Sequence, residues 1–422
     1  MKNLPTAPFP TVGEIVYDIA IRSGLVQTTN DKDPLYNGLK AFKDDRKRPA
    51  LAPIEFPKTV LRDLEDRIVS FINVDKTESE VFALCTIKSI TDCLSHYSGF
   101  VASRDASLLE RKQMMEEVLW PTLFSMYSSF FLTLFNEWKP YLNLQELVKA
   151  ENPLGLYLNH ICPNGTKDFN TICNYRSINN IDRPIDSANA RKTLNEWING
   201  TNVPNLDRCQ EILEALELND KLDARMWMLL ARLLQKTPMQ YRQHILHRMA
   251  NNEGSDVVVQ AHLLIRNIAW NISTELNIGA DRPYAKIQAA LYECDAEPKS
   301  REHVVDMLIR QENTWKPIHN QTQHLIHWMW ARFHVLCGEY REGLDRYQQA
   351  YDYGANRDPD IYNKTIHEAM ALALFMNEER TAEKYRGWIG LYSSFDWDET
   401  KESVCDRFDK IFPPNLRFPQ AK

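Results

Sequence analysis

Apolar residues recur three and four positions apart along most of this chain. KTVLRDLEDRIVSFI (58–72) and SEVFALCTIKSITDCLSHY (79–97) carry the pattern plainly. So do LDARMWMLLARLLQ (222–235), QYRQHILHRMA (240–250), VVVQAHLLIRNIAWNISTEL (257–276), YAKIQAALYECD (284–295) and SREHVVDMLIRQEN (300–313). That spacing places one apolar stripe on one side of an α-helix. A shorter helix is predicted over 12–24, stopped by Gly24. No run of period-two alternation is long enough to make a sheet. The pattern therefore predicts an all-α protein. It divides into an N-terminal helix and linker (1–57), a helical bundle (58–149), a further helical unit (150–216) and a chain of hairpins (217–422). Within the first part, 40–57 is mixed-charge and then proline-rich, which reads as a solvated connector. Its basic residues Lys43, Arg46, Lys47 and Arg48 stand beside Asp44 and Asp45.

One segment needs separate treatment. VLWPTLFSMYSSFFLTLF (118–135) has no charged residue. Leu119, Leu123, Met126, Phe130 and Leu134 fall on one helical face, with Ser125, Ser128 and Ser129 roughly opposite. This predicts a core helix, bent or broken around Pro121, in preference to a membrane span.

Composition sharpens the picture. Only 14 of the 422 residues are glycine, which disfavours hairpin turns and so favours helix over sheet. The net charge of −7 supplies no global basic field, so nucleic acid would have to be held by a local patch. None of the 8 cysteines lies in a C-x-x-C pair, as expected of reduced thiols in a cytoplasmic protein. The first residues contain no apolar run of secretory type. No P-loop, G-x-G-x-x-G, G-x-S-x-G or H-E-x-x-H is present, so neither a nucleotide-driven nor a familiar hydrolytic enzyme is predicted. His319, His324, His327 and His334 crowd one helix, but no carboxylate or cysteine partner is evident. They read as structural, and no metal or cofactor is expected.

Two stretches resemble known families. HWMWARFHVLCGEYREGLDRYQQAYDYG (327–354) resembles a tetratricopeptide repeat. Trp330 and Ala331 stand at the leucine–glycine pair, Gly338 and Tyr340 at the turn, and Gly343, Tyr347 and Ala350 along the second helix. A second copy, EAMALALFMNEERTAEKYRGWIGLY (368–392), sets Asn377 and Ala382 thirty-nine residues after Gly338 and Gly343. In that copy Ala369, Met370 and Ala371 answer Ala331, and Tyr385 falls one place short of the counterpart of Tyr347. The resemblance implies an α-solenoid over 217–422, whose groove would take a protein or peptide.

ARKTLNEWINGTNVPNLDRCQEILEAL (190–216) resembles the second half of a Cro or phage-repressor helix-turn-helix. That likeness implies a core of Leu194, Trp197, Val203, Leu206, Cys209, Ile212 and Leu213, with Asn199-Gly200 ending a recognition helix. It also implies that Arg191, Lys192, Thr193 and Glu196 face base edges, and that Thr201 and Asn202 touch phosphate. RQHILH (242–247) fits the R-x4-H pattern of the helical HEPN ribonucleases, which would make Arg242 and His247 catalytic.

The reading that follows is a macromolecule-binding regulator whose solenoid senses a protein or peptide and whose helix-turn-helix binds double-stranded DNA. Two alternatives remain open: a protein–protein scaffold without DNA binding, and a HEPN-like ribonuclease. No membrane partner is expected, and self-association is left open.

Overall fold

The computed structural model describes residues 6–26, 33–44, 58–179, 187–251, 256–276 and 298–392. Every regular element among them is a helix, so the fold is all-α. The proline-rich connector from 45 on, the stretch 284–295 with Cys294, residues 180–186 and Cys405 lie outside the described residues.

Helices α1 (Val12–Ser23), α2 (Pro34–Asp44), α3 (Lys58–Ile72) and α4 (Lys76–Ala102) come first. Local chemistry sets the ends of α1. The Thr11 hydroxyl accepts from the Glu14 amide at 3.1 Å, while the Glu14 carboxylate accepts from the Thr11 amide at 2.7 Å. This reciprocal pair satisfies two donors that a helix start leaves bare. Gly24, at φ 82°, closes the other end in the left-handed conformation.

The next helix, α5 (Arg111–Trp138), runs without interruption. Its Met114–Phe124 stretch is a π-helix containing Pro121. A π turn bonds residue i to i+5, so it holds more than four residues. The buried positions here are Met114, Val118, Leu119, Thr122, Leu123 and Phe124. The α-helical half that follows buries Ser125, Ser129, Leu132 and Phe135 instead. The apolar face expected from the sequence is therefore cut in two. Leu119 and Leu123 are inside, but Phe130 is 63% and Leu134 47% exposed, and two of the three serines are buried. Each buried serine bonds its own helix: Ser125 Oγ donates to the Thr122 carbonyl at 3.0 Å and Ser129 Oγ to the Met126 carbonyl at 2.8 Å. α5 is long and apolar enough to cross a membrane, and half of its most apolar window lies inside the fold.

Short helices α6 (Leu144–Lys149), α7 (Pro153–Ile161), α8 (Thr166–Asn179), α9 (Ser187–Ile198) and α10 (Leu206–Ala215) lead to α11 (Leu222–Lys236). This helix is buried on every side, which makes it the axis of the first core. Trp227, wholly enclosed, donates its indole N–H to the Lys139 carbonyl at 2.9 Å. α1, α3, α7 and α10 pack around it. A cavity of about 60 Å³ remains beside it, walled by apolar groups of Val16, Leu64, Phe82, Phe131 and Leu230. α12 (Met239–Asn251) and α13 (Val257–Glu275) complete this core, packing on the two halves of α5. A second core is formed by α14 (Pro298–Thr314), α15 (His319–Leu336), α16 (Tyr340–Gly354), α17 (Pro359–Phe375) and α18 (Glu379–Tyr392).

The cores thus divide after α13, whereas the sequence reading started the solenoid at 217. α11 to α13 share apolar contacts with the bundle. Arg357 joins the two parts. Its carbonyl accepts from the Ala106 amide at 2.9 Å, and its guanidinium donates to the Thr6 carbonyl at 2.8 Å.

Candidate interaction surfaces

The 150–216 unit buries the side chains predicted for its core. Leu194, Trp197, Cys209, Ile212 and Leu213 are enclosed, and Val203 and Leu206 are partly so. Gly200 sits at φ 73°, as the end of α9 requires. This end is docked on the rest of the fold. A Cβ on Gly200 would lie 2.1 Å from Asn152 Oδ1, and one on Gly155 would lie 2.2 Å from the Ile198 carbonyl oxygen. Position 155 therefore needs glycine for the close approach of α7 and α9, and position 200 needs it for its positive φ.

On the outer face of α9, Arg191 and Lys192 are exposed. The Arg191 guanidinium donates to Asn170 Oδ1 at 2.9 Å. Thr193 Oγ donates to the Asn189 carbonyl at 2.8 Å, and Glu196 is half-buried. Thr201 Oγ donates to the Glu196 carbonyl at 3.1 Å, while Asn202 Oδ1 accepts from the Val203 amide at 2.8 Å. Both residues are exposed, and these bonds hold their side chains against the local backbone.

Arg242 and His247 do not meet in one site. Arg242 is buried, and its guanidinium donates to the carbonyls of Thr237 at 3.1 Å, Val148 at 3.0 Å and Ala150. Those are carbonyls that the ends of α6 and α11 leave without helical partners. His247 is exposed on another side of α12, beside Asn251. Five residues turn a helix by about 140° beyond a full turn, which separates the two side chains. Arg242 is a staple between helix ends.

Other buried arginines act in the same way. Arg225 donates to the carbonyls of Asn219 and Phe71, each at 2.6 Å. Arg232 donates to those of Pro204 at 2.7 Å and Arg22 at 2.6 Å. Burial lowers the pKa of Arg225, Arg232 and Arg242 from the usual value. The sequence hinted at this only through two arginines seven residues apart inside the apolar run of α11.

The C-terminal hairpins repeat their geometry at the predicted offset. After α15, the Gly338 amide donates to the Val335 carbonyl at 3.0 Å and the Glu339 amide to that of His334 at 2.8 Å. After α17, the Asn377 amide donates to Leu374 at 3.0 Å and the Glu378 amide to Ala373 at 2.8 Å. Both are Schellman ends, with Gly338 at φ 77° and Asn377 at φ 61°. Gly343 and Ala382 are buried where the helices touch, and Tyr347 and Tyr385 are wholly buried. A polar knot joins α15, α16 and α17. Glu368 Oε2 accepts from the Trp328 indole at 3.0 Å and from the Tyr347 hydroxyl at 2.7 Å, with Arg332 Nε 3.6 Å away. The Arg332 guanidinium also stacks 4.9 Å over the Trp328 ring.

No protein family, curated protein or solved structure matches this chain.

α15 and α17, which would line a solenoid groove, are buried around most of their circumference. The four histidines do not converge on an ion. His334 Nδ1 lies 2.7 Å from Glu339 Oε2, and His327 Nδ1 lies 3.1 Å from the Arg346 guanidinium. His324 is buried with neither ring nitrogen partnered, and burial pushes its pKa down to about 3. No cluster of three metal-ligating side chains occurs among the described residues.

Sequence reasoning missed two exposed apolar faces. On α13, Val257, Ala261 and Ile265 face inward, while Val259 (48%), Leu263 (48%) and Trp270 (59%) face out. On α4 and α5, Val81, Leu84, Phe130, Leu134 and Trp138 are exposed. The signal was present in α13, where apolar residues occupy two faces instead of one.

Proposed function

We propose that this chain is a regulatory scaffold that works by binding other macromolecules. The observation that carries this reading is the outer stripe of α13. Val259, Leu263, Arg266 and Trp270 follow a four-three-four spacing and are all exposed. That spacing is the seam of a helix that pairs with another helix. Arg266 within it calls for a carboxylate opposite, so the fitting partner is an amphipathic helix with an acidic residue among its apolar ones. The interior supports the same reading, because the buried arginines and Glu368 are committed to structural bonds. The four hairpin helices α15 to α18 fit a degenerate tetratricopeptide-like pair, supported by their matching ends.

The test is affinity purification with the full chain and with the Leu263→Asp/Trp270→Asp variant. A set of partner proteins that the variant loses, and that an exposed substitution on another helix retains, supports the scaffold. Recovery of the same proteins by all forms removes α13 as the binding face.

DNA binding is a second reading, supported by the adjacent exposed cations Arg191 and Lys192. A gel shift on random-sequence duplex tests it. Binding that falls steeply with salt and disappears in Arg191→Ala/Lys192→Ala assigns the regulator to DNA.

A further inference from the structure

The first core leaves a space that its own side chains do not fill. The cavity of about 60 Å³ beside α11 is walled by residues of α1, α3, α4, α5 and α11. Close-packed interiors hold few voids larger than a water molecule. One water needs roughly 10–15 Å³ of such space, so this cavity exceeds what packing error ordinarily leaves. Ala20 on α1 keeps it open. It is wholly buried in the wall, where a larger apolar side chain would occupy the space.

Water is a poor occupant. No polar atom faces the cavity. The two hydroxyl-bearing wall residues turn back on their own helices. Ser23 Oγ donates to the Ala20 carbonyl at 3.1 Å, and Thr86 Oγ1 to the Phe82 carbonyl at 2.8 Å. A buried water needs polar partners, and an apolar cavity without them stays dry and takes apolar guests. Volume sets the size of the guest. An apolar cavity of about 150 Å³ takes benzene or xenon, so a space less than half as large suits xenon or a hydrocarbon of about two or three carbons. The Phe82 and Phe131 rings, 6.3 Å apart, form part of the wall and offer such a guest close dispersion contact. Ile19 on α1, Ile90 on α4 and Leu233 on α11 are only partly buried, so the wall meets solvent at those residues and a guest has a way in.

We propose that this cavity is a binding site for one small apolar molecule, a hydrocarbon of about xenon's size with no hydrogen-bonding group. α13 does not line it, so this reading and the partner-helix reading of α13 fail independently.

The experiment is methyl NMR on the full chain under xenon, with the second core as the control. The methyl groups of Val16, Leu64, Ile68 and Leu230 should shift saturably with xenon pressure, and those of Ile366 and Leu372 should not. Propane should displace the xenon. Ala20→Val, checked for helix content by circular dichroism, fills the space and should weaken xenon binding at least about tenfold. Should valine crowd α1 and unfold it, Val16→Ile fills the same space by one methyl and should weaken binding in the same direction. Wall methyls that do not respond to xenon overturn the proposal. So do wall methyls that respond alike in the wild-type chain and a folded, filled variant. Propane that fails to compete overturns the hydrocarbon assignment. Nuclear Overhauser contacts from these methyls to an internal water overturn it too, because the space would then be hydrated.

Discussion

α5 and α15 are both long and rich in apolar residues, yet they hold their neighbours by different means. α15 keeps one helical period from end to end, is enclosed by its neighbours, and is fastened to α16 and α17 by the carboxylate of Glu368. α5 changes period part-way. Its π stretch turns the downstream half so that serines face in and Phe130 and Leu134 face out. A polar knot fixes which residues meet in the first, whereas backbone geometry fixes it in the second. Removing side chains should therefore damage the two regions at different places.

The largest effect is expected at the knot. Glu368→Ala removes the acceptor of Trp328 and Tyr347 and leaves Arg332 buried without its carboxylate. Breaking a buried charge pair from one side costs about 3–5 kcal/mol. Hydrogen exchange on the full chain should show α15 to α18 opening far more readily while α1 to α13 keep their protection. Uniform loosening of both cores would mean that they are one cooperative unit.

Next comes a pair of substitutions on α5 that separates the π geometry from an uninterrupted helix. Leu132→Ala should cost about 2–5 kcal/mol, as for a filled core position. Phe130→Ala, measured by denaturation at high dilution, should fall within about 0.5 kcal/mol of wild type. An uninterrupted α-helix predicts the opposite order, because it puts Phe130 in line with Leu119 and Leu123.

These two regions also show what was legible in the chain. The α15 to α18 turns could be read because Gly338 and Asn377 are types that tolerate the left-handed conformation, and they recur at a fixed interval. The all-α class could be read because periodicity survives almost everywhere. The division after α13 could not be read, since α11 looks like any apolar helix until its surroundings are known. Nor could the register of α5, because Pro121 announces a bend without saying how far the helix turns there. Arg242 and His247 matched a spacing, but spacing does not reveal that a guanidinium is spent on backbone carbonyls.

His324 gives a pH test confined to the hairpin side. The fold holds it neutral down to about pH 3, whereas the unfolded chain protonates it near 6.5. Between those values the unfolded state binds more protons, so stability falls as the pH drops below 6.5, by up to about 1.4 kcal/mol per unit. Above 6.5 this contribution is constant. Denaturation at pH 7.5 and 5.5 should show a loss in the wild-type chain that shrinks in His324→Phe. An equal loss in both would assign the acid sensitivity elsewhere.

The smallest expected effect compares the two Schellman ends directly. Gly338 and Asn377 occupy the same place thirty-nine residues apart, both at positive φ. A side chain in that conformation meets its own carbonyl, at roughly 1–2 kcal/mol, and asparagine bears it better than most. Gly338→Ala should therefore cost about 1 kcal/mol, and Asn377→Gly should gain a few tenths. If the hairpins are true repeats, Gly338→Asn should cost about what Asn377→Gly gains, because each change converts one end into the other. A much larger cost at Gly338 would mean that α15 holds its turn against tighter neighbours than α17 does, and the likeness between the hairpins would then stop at the backbone.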